Sequence, residues 1–290
     1  MAVEMSDFVF DGSGHFSIKD VPTSVHVDKG ERPHLEELTT IDTVRMGELQ
    51  DRLYADAREG LVIILQAMDA AGKDSTVKRV MSGVNPTGVE VANFKVPSST
   101  DLAHDYLWRV VPHLPARGKI AIFNRSYYED VLVVRVHGLW RSYRMPARCL
   151  DLTEEEFFDR RYREIRDFER HLWENGYRVL KIFLNVSADE QRKRFLQRID
   201  DESKNWKFSA NDLAERRLWP QYQRAYEQAI DATATKRAPW YVIPADQKWV
   251  ARWLIGEAIV GTLEEMDPRY PAVSAEQKAE LARCREVLAG

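Results

Sequence analysis

The sequence predicts an α/β protein built on a parallel five-stranded sheet with helices on both faces. Three observations carry this. Short apolar runs alternate with stretches of helical spacing along most of the chain. The strongest run, Leu-Val-Ile-Ile-Leu at 61–65, is apolar at every position, as a strand buried on both faces must be. A loop containing Gly72-Lys73 follows that run directly and leads into a helical stretch.

The elements follow in order. Residues 1–36 mix Gly, Asp, Lys and Pro without periodicity and are expected as an extended N-terminal arm. Residues 37–290 are expected to form one domain. Over 40–57, Ile41, Val44, Leu49 and Leu53 recur near helical spacing. Further strands are expected at 89–94, 120–123, 179–184 and 240–243. Helices are expected at 75–81, 101–114, 154–174, 187–199, 211–232 and 249–265. Ser187-x-x-Glu190 reads as a capping box, and Ser274-x-x-Gln277 caps a last helix. Residues 192–218, rich in Arg, Lys and Asp, are expected as a helical lid.

Composition narrows the class. The chain has 290 residues, 44% hydrophobic and 30% charged, which reads as globular and soluble. A net charge of -4 argues against wholesale duplex DNA binding, so no nucleic-acid partner is expected. No apolar run is long enough to span a membrane, and the first residues lack the apolar stretch of a secretory signal. Cys149 and Cys284 show no metal-ligand spacing, which favours a reducing, cytoplasmic setting. The histidines show no ligand spacing either, and are read as structural.

The stretch 66–76, Gln-Ala-Met-Asp-Ala-Ala-Gly-Lys-Asp-Ser-Thr, sits where a phosphate loop belongs, between a buried strand and a helix. Ala67 stands in the place of the pattern's first glycine, and Asp74 in the place of its Ser/Thr. The backbone of Ala70, Ala71, Gly72, Lys73, Asp74 and Ser75 is expected to cradle phosphate, with Lys73 supplying positive charge. Asp69 and Asp74 would repel phosphate unless a divalent cation lies between, so they are the expected metal ligands. The expected metal is Mg²⁺, with Mn²⁺ as a substitute. The plainer alternative makes them helix-cap acids.

A second cluster follows the 120–123 strand: Asn124, Arg125, Glu129 and Asp130. Groups just past a parallel strand face the same crevice as the phosphate loop. Arg125 can bridge phosphates, and Glu129 or Asp130 can hold metal-bound water or orient an attacking oxygen. Asp69, Lys73, Arg125, Glu129 and Asp130 are therefore the candidate catalytic residues. Two blocks are basic and free of acids. One carries Arg135, Arg141, Arg144 and Arg148, the other Arg192, Lys193, Arg194 and Arg198. Such segregation suits a channel for a polyanion; a surface or subunit-interface patch is the plainer reading.

With these residues in place, the chain resembles the type 2 polyphosphate kinases from about 51 to 258. The blocks run in order. They are 65–74, 81–86 (Met-Ser-Gly-Val-Asn-Pro), 94–97 (Phe-Lys-Val-Pro), 104–109 (His-Asp-Tyr-Leu-Trp-Arg), 124–135, 204–208 (Lys-Asn-Trp-Lys-Phe) and 238–244. The resemblance implies a thymidylate-kinase-like P-loop fold and Mg²⁺-dependent transfer of the terminal phosphoryl group of inorganic polyphosphate to AMP or ADP. It implies metal and phosphate roles for Asp69, Lys73 and Asp74. Many members carry Asp where this chain has Asn124, which shifts that role toward Glu129 or Asp130. The Asn-Arg-Ser version resembles class III, whose members phosphorylate both AMP and ADP. On this fold Lys95 and Arg109 are expected to hold the acceptor's α-phosphate, with Arg135, Arg194 and Arg198 along the polyphosphate. A homodimer or tetramer is expected. The rival functions are an ATP-dependent kinase on the same fold and a non-catalytic nucleotide-binding regulator.

Overall fold

The computed structural model describes residues 3–290. In chain order it runs β1 (Val9–Phe10), α1 (Arg32–Asp56), β2 (Gly60–Ala67), α2 (Lys73–Val80) and β3 (Val89–Asn93). A single turn, α3 (Ser99–Leu102), precedes β4 (Ile120–Asn124); two more, α4 (Val133–Val136) and α5 (Ala147–Leu150), follow it. Then come α6 (Glu154–Glu174), β5 (Tyr177–Asn185), α7 (Ala188–Asp200), α8 (Ala210–Arg217) and α9 (Trp219–Thr233). The chain closes with β6 (Trp240–Pro244), α10 (Lys248–Met266) and α11 (Ala275–Ala289).

The strand order is β1-β6-β5-β2-β4-β3. The five expected strands are present and parallel. A sixth, β1, pairs antiparallel with β6 through Val9–Tyr241 and Phe10–Trp240. It comes from the stretch expected as an arm, and two residues are too few for alternation to show. β2 lies at the centre with every residue buried, which is why its apolar run has no polar interruption. α1, α2 and α10 pack together as one layer, and α6 and α9 form the other. α6 starts at a full Thr153–Glu156 capping box and buries Phe157, Phe158, Tyr162, Ile165 and Leu172 on its inner face.

Several boundaries differ from expectation. α1 begins at Arg32, inside the expected arm, with Pro33 in its first turn where a missing N–H costs nothing. The rest of the arm is a strap. Phe16 and Ile18 are buried, and their N–H groups donate to Asp231 and Glu227 of α9. The helix expected at 101–114 does not form beyond α3. Asp105 accepts from the Leu107 N–H, a local turn that competes with helix, and Pro112 removes a donor further on. The helix expected at 211–232 is two helices, broken at Leu218 with Pro220 in the first turn of the second. No helix among the described residues is long and apolar enough to cross a membrane.

Candidate active site

β2 and β4 pair in register from Leu61–Ile120 to Leu65–Asn124, so the two chains leave the sheet side by side. The loop after β2 and the turn after β4 therefore share one crevice at the carboxyl ends of the strands. Ala70 (φ 61°) and Gly72 (φ 108°) take left-handed backbone, and Arg125 does so in the second turn (φ 64°). Alternation of left- and right-handed residues turns successive N–H groups toward one point.

Hydrogen bonding shows which way the loop's peptides face. Lys73 Nζ donates to the Ala67 carbonyl at 3.1 Å, and Ala71 N to Met68 at 3.3 Å. Thr76 N and Ser75 Oγ donate to Gly72 at 3.0 and 2.9 Å. Side chains of α7 take the carbonyls of Asp69, Ala70 and Ala71. Every carbonyl from 67 to 72 thus has a donor. The N–H groups of Asp69, Ala70, Gly72, Lys73, Asp74 and Ser75 have no partner among the described residues. Unpartnered donors around a helix N-terminus are an anion cradle.

The charged groups around it are close but unsaturated. Arg125 lies 3.6 Å from Asp69. Burial pulls the Lys73 pKa down, with Arg125 adding to the effect, while Asp69, Glu129 and Asp74 oppose it. Burial pushes Glu129 up, and Arg125, Lys73 and the Gln66 amide pull it back. Burial also opposes the charge on Arg125, but Glu129 and Asp69 outweigh that and its pKa is raised. Gln66 fixes Glu129 Oε1 at 3.0 Å, in the orientation that lets its own oxygen accept from Ser126. Asn124 Nδ2 donates to Asp74 and to Asn93, each at 2.9 Å. The structure thus brings Asp69, Lys73, Asp74, Asn124, Arg125 and Glu129 together around the cradle.

It takes other expected residues away. Asp130 is buried on the far side of its turn, 2.8 Å from Arg161 and bonded to the Tyr143 hydroxyl. Arg135 is folded onto α6, bonded to Glu154 at 3.2 Å and Tyr162 at 2.9 Å over the Phe158 ring. Arg194 is buried, its guanidinium engaged with backbone carbonyls and Glu190. Arg198 leans over Phe195 and approaches the Lys207 carbonyl at 3.5 Å. Lys95 is exposed on the loop after β3, and Arg109 donates to its carbonyl at 2.9 Å. Position after a strand is readable in sequence, but the face of a tight turn on which each side chain lands is not.

Two tyrosines of α9 escaped the sequence reading. Tyr226 stacks on Phe183, and burial followed by Glu129 drives its hydroxyl well above the ordinary range. Tyr222 donates to Glu215 of α8 at 2.6 Å, beside His137. Their spacing marks only the buried face of α9.

The model of the family described as Polyphosphate kinase 2 (PPK2) matches residues 31–271. The chain belongs to the polyphosphate kinase 2 family. That family membership extends to well-aligned relatives. An "ADP-polyphosphate phosphotransferase" of Rhodopseudomonas palustris is 46% identical over 92% of this chain and 92% of its own. An "AMP/ADP-polyphosphate phosphotransferase" of Meiothermus ruber is 46% identical over 89% of this chain and 92% of its own. The crystal structure of Polyphosphate Kinase 2 from Arthrobacter aurescens superposes with a TM-score of 0.83 at 38% identity, covering 94% of each chain. The cradle, Lys73 and Arg125 therefore lie in a polyphosphate kinase 2 fold that the alignments cover almost from end to end.

Proposed function

We propose that the protein transfers the terminal phosphoryl group of inorganic polyphosphate to AMP and to ADP. The observation that carries this is the cradle of unpartnered N–H groups, flanked by Lys73 and Arg125, whose charges are balanced by acids without being saturated. The acceptor's terminal phosphate oxygen attacks the terminal phosphorus of polyphosphate in line. The bond to the penultimate phosphate's bridging oxygen breaks, and a chain one unit shorter leaves. The attacking oxygen is already anionic at neutral pH, so no strong base is needed. Positioning and charge stabilisation supply most of the rate.

The donor set suits Mg²⁺. Asp69 and Asp74 are hard oxygen donors, and no group of three or more acidic, His or Cys side chains among the described residues makes an all-protein metal cage. Mg²⁺ needs only one or two carboxylates when phosphate and water complete its shell. When bound, it would neutralise charge on the phosphates; Asp69 and Asp74 would hold it, and Glu129 would orient its water. The exposed Arg141, Arg144, Arg148 and Arg192 can line polyphosphate, and residues 192–218 are read as the lid. The reading includes a homo-oligomer in a reducing cytoplasm, with neither nucleic acid nor membrane as partner.

The test is a time course from pure AMP with polyphosphate as sole donor. ADP should appear first and ATP later, and chelation of divalent metal should stop both. A plateau of ADP without ATP, while polyphosphate is plentiful, removes the dual-acceptor claim. No nucleotide product at all removes the function.

A further inference from the structure

The middle of the phosphate loop, the carbonyls of Asp69, Ala70 and Ala71, is held from outside the loop, and one helix holds it. Three consecutive loop carbonyls point at α7. Gln191 Nε2 donates to Asp69 O at 2.9 Å, and Arg194 donates to Ala70 O at 3.1 Å and Ala71 O at 2.6 Å. Gln191 and Arg194 stand three positions apart, on one face of α7, and both are buried.

Arg194 is itself over-determined. Its other terminal nitrogen donates to the carbonyls of Ala245 (2.6 Å) and Asp246 (3.1 Å), just past β6, and its Nε to Glu190 at 2.9 Å. Every guanidinium nitrogen is therefore directed. Glu190 is diverted to this task from the capping box its sequence suggests. Ser187 Oγ still accepts from Glu190 N, but the Ser187 N–H goes to Asp246 Oδ1 at 2.7 Å. The N-terminal strap reaches the same point, where Asp246 N donates to the Thr23 carbonyl at 2.9 Å.

A peptide plane whose carbonyl is fixed on one side must present its N–H on the other. Ala70 also sits at φ 61°, where an L-residue stays only if its surroundings hold it there. Gln191 in turn accepts from Arg216 of α8 at 2.7 Å, and the same Arg216 nitrogen donates to Ala188 O at 2.9 Å. A chain of direct contacts therefore runs from α8, through Gln191, to the backbone of Asp69.

We propose that Gln191 and Arg194 are positioning residues that set the phosphate loop's N–H groups for transfer, and that Arg216 couples this setting to α8. This deepens the phosphotransfer reading and rests on it. Each guanidinium nitrogen of Arg194 is taken by a protein acceptor. Its charge is engaged by carbonyls, and it acts through the loop.

Two measurements separate the proposal from the function. The first is kinetic. Arg194→Lys keeps the charge but cannot reach four carbonyls. It should lower kcat by about 100-fold, the scale on which preorganised transition-state donors act. Gln191→Glu keeps the acceptor for Arg216 and loses the donor to Asp69 O, and should lower kcat by about tenfold. KM for AMP should stay within about threefold in both, because the acceptor's binding does not use this clamp. The second is calorimetric titration with inorganic tripolyphosphate, which needs no turnover. The parent should bind, and Arg194→Lys should bind about tenfold more weakly.

If the parent makes no product, the function fails and the titration still reads the clamp. Unchanged kcat in Gln191→Glu, or equal tripolyphosphate affinity in the parent and Arg194→Lys, overturns the proposal. So does a loss in Arg194→Lys that tracks its melting temperature while Gln191→Glu is fully active. For the link to α8, Arg216→Met and Gln191→Glu combined should lose little more than the worse single variant. Losses that multiply overturn the coupling.

Discussion

Lys73 is half-buried and Lys181 fully buried; desolvation pulls both pKa values down, yet their surroundings differ in kind. Lys181, on β5, donates to Glu169 at 2.7 Å, Thr233 O at 2.8 Å and the Tyr128 hydroxyl at 3.3 Å. Tyr127 and Tyr128 donate to the same Glu169, and Trp240 Nε1 donates to Thr233. The network is closed, with donors and acceptors matched. Lys73 donates to one carbonyl only, and no carboxylate lies within 4.0 Å of its ammonium among the described residues. A saturated buried charge holds a structure together, whereas an unsaturated one beside unpartnered N–H groups is ready to receive a ligand.

Perturbing both lysines tests that distinction, and Lys73 should show the largest effect. Lys73→Ala should cut kcat by about 1000-fold or more while the melting temperature stays within about 2 °C. Retention of more than about a tenth of the activity, ~1.4 kcal/mol in barrier, would remove Lys73 from the chemistry. Lys181→Met should do the reverse. It leaves Glu169 buried and unpaired, a loss of about 3–5 kcal/mol, or roughly 10 °C in melting temperature. kcat measured below the transition should hold. Glu169→Gln added to Lys181→Met should recover part of the loss, because the amide oxygen still accepts from the tyrosines.

The neighbours Glu129 and Asp130 repeat the contrast within one turn. Glu129→Gln should lower kcat by about 10- to 100-fold with the fold intact. Asp130→Asn should leave kcat near the parent's and cost about 2–3 kcal/mol in urea unfolding, since Arg161 loses its buried partner. Equal activity losses in the two variants would erase the distinction.

The smallest effect is a pH dependence away from the site. Asp42 is buried between α1 and α10, where Gly256 leaves room for it; a Cβ there would lie 2.9 Å from Asp42 Oδ2. Burial, and then Glu257, push its pKa up to about 7, against about 3.9 in the unfolded chain. The folded state therefore binds the extra proton between those values, and stability falls as pH rises through that window. Asp42→Asn should raise the melting temperature by about 2–4 °C at pH 8 and change it little at pH 4. An equal shift at both pH values would place the effect in packing, outside titration.

The same contrast explains what could be read without coordinates. The apolar run at 61–65, the Gly72-Lys73 loop and the ordered blocks from 65 to 244 are local patterns, so the parallel strands and the family were legible in the chain. Asp69, Lys73, Arg125 and Glu129 could be placed near one crevice from sequence because each lies in the short segment that follows a strand end. Asp130 and Arg194 were misplaced because the charge is in the sequence and the partner is not. Asp130 finds Arg161 on α6, beyond α4 and α5 in the chain, and Arg194 finds carbonyls of segments far away in the chain.

The sequence by itself determined the five parallel strands, their order along the chain and the loops that lead from their carboxyl ends. Hydrophobic period, turn residues and strand-end position are properties of neighbours along the chain. Only the tertiary structure decided which charges are saturated, because saturation depends on distances between residues remote in sequence. It seated α7 against the loop, closed the network around Lys181 and left Lys73 with donors to spare. Burial makes that difference consequential. In a low-dielectric interior a charge is either matched by fixed partners or strongly drawn to an incoming anion, and packing alone selects between them.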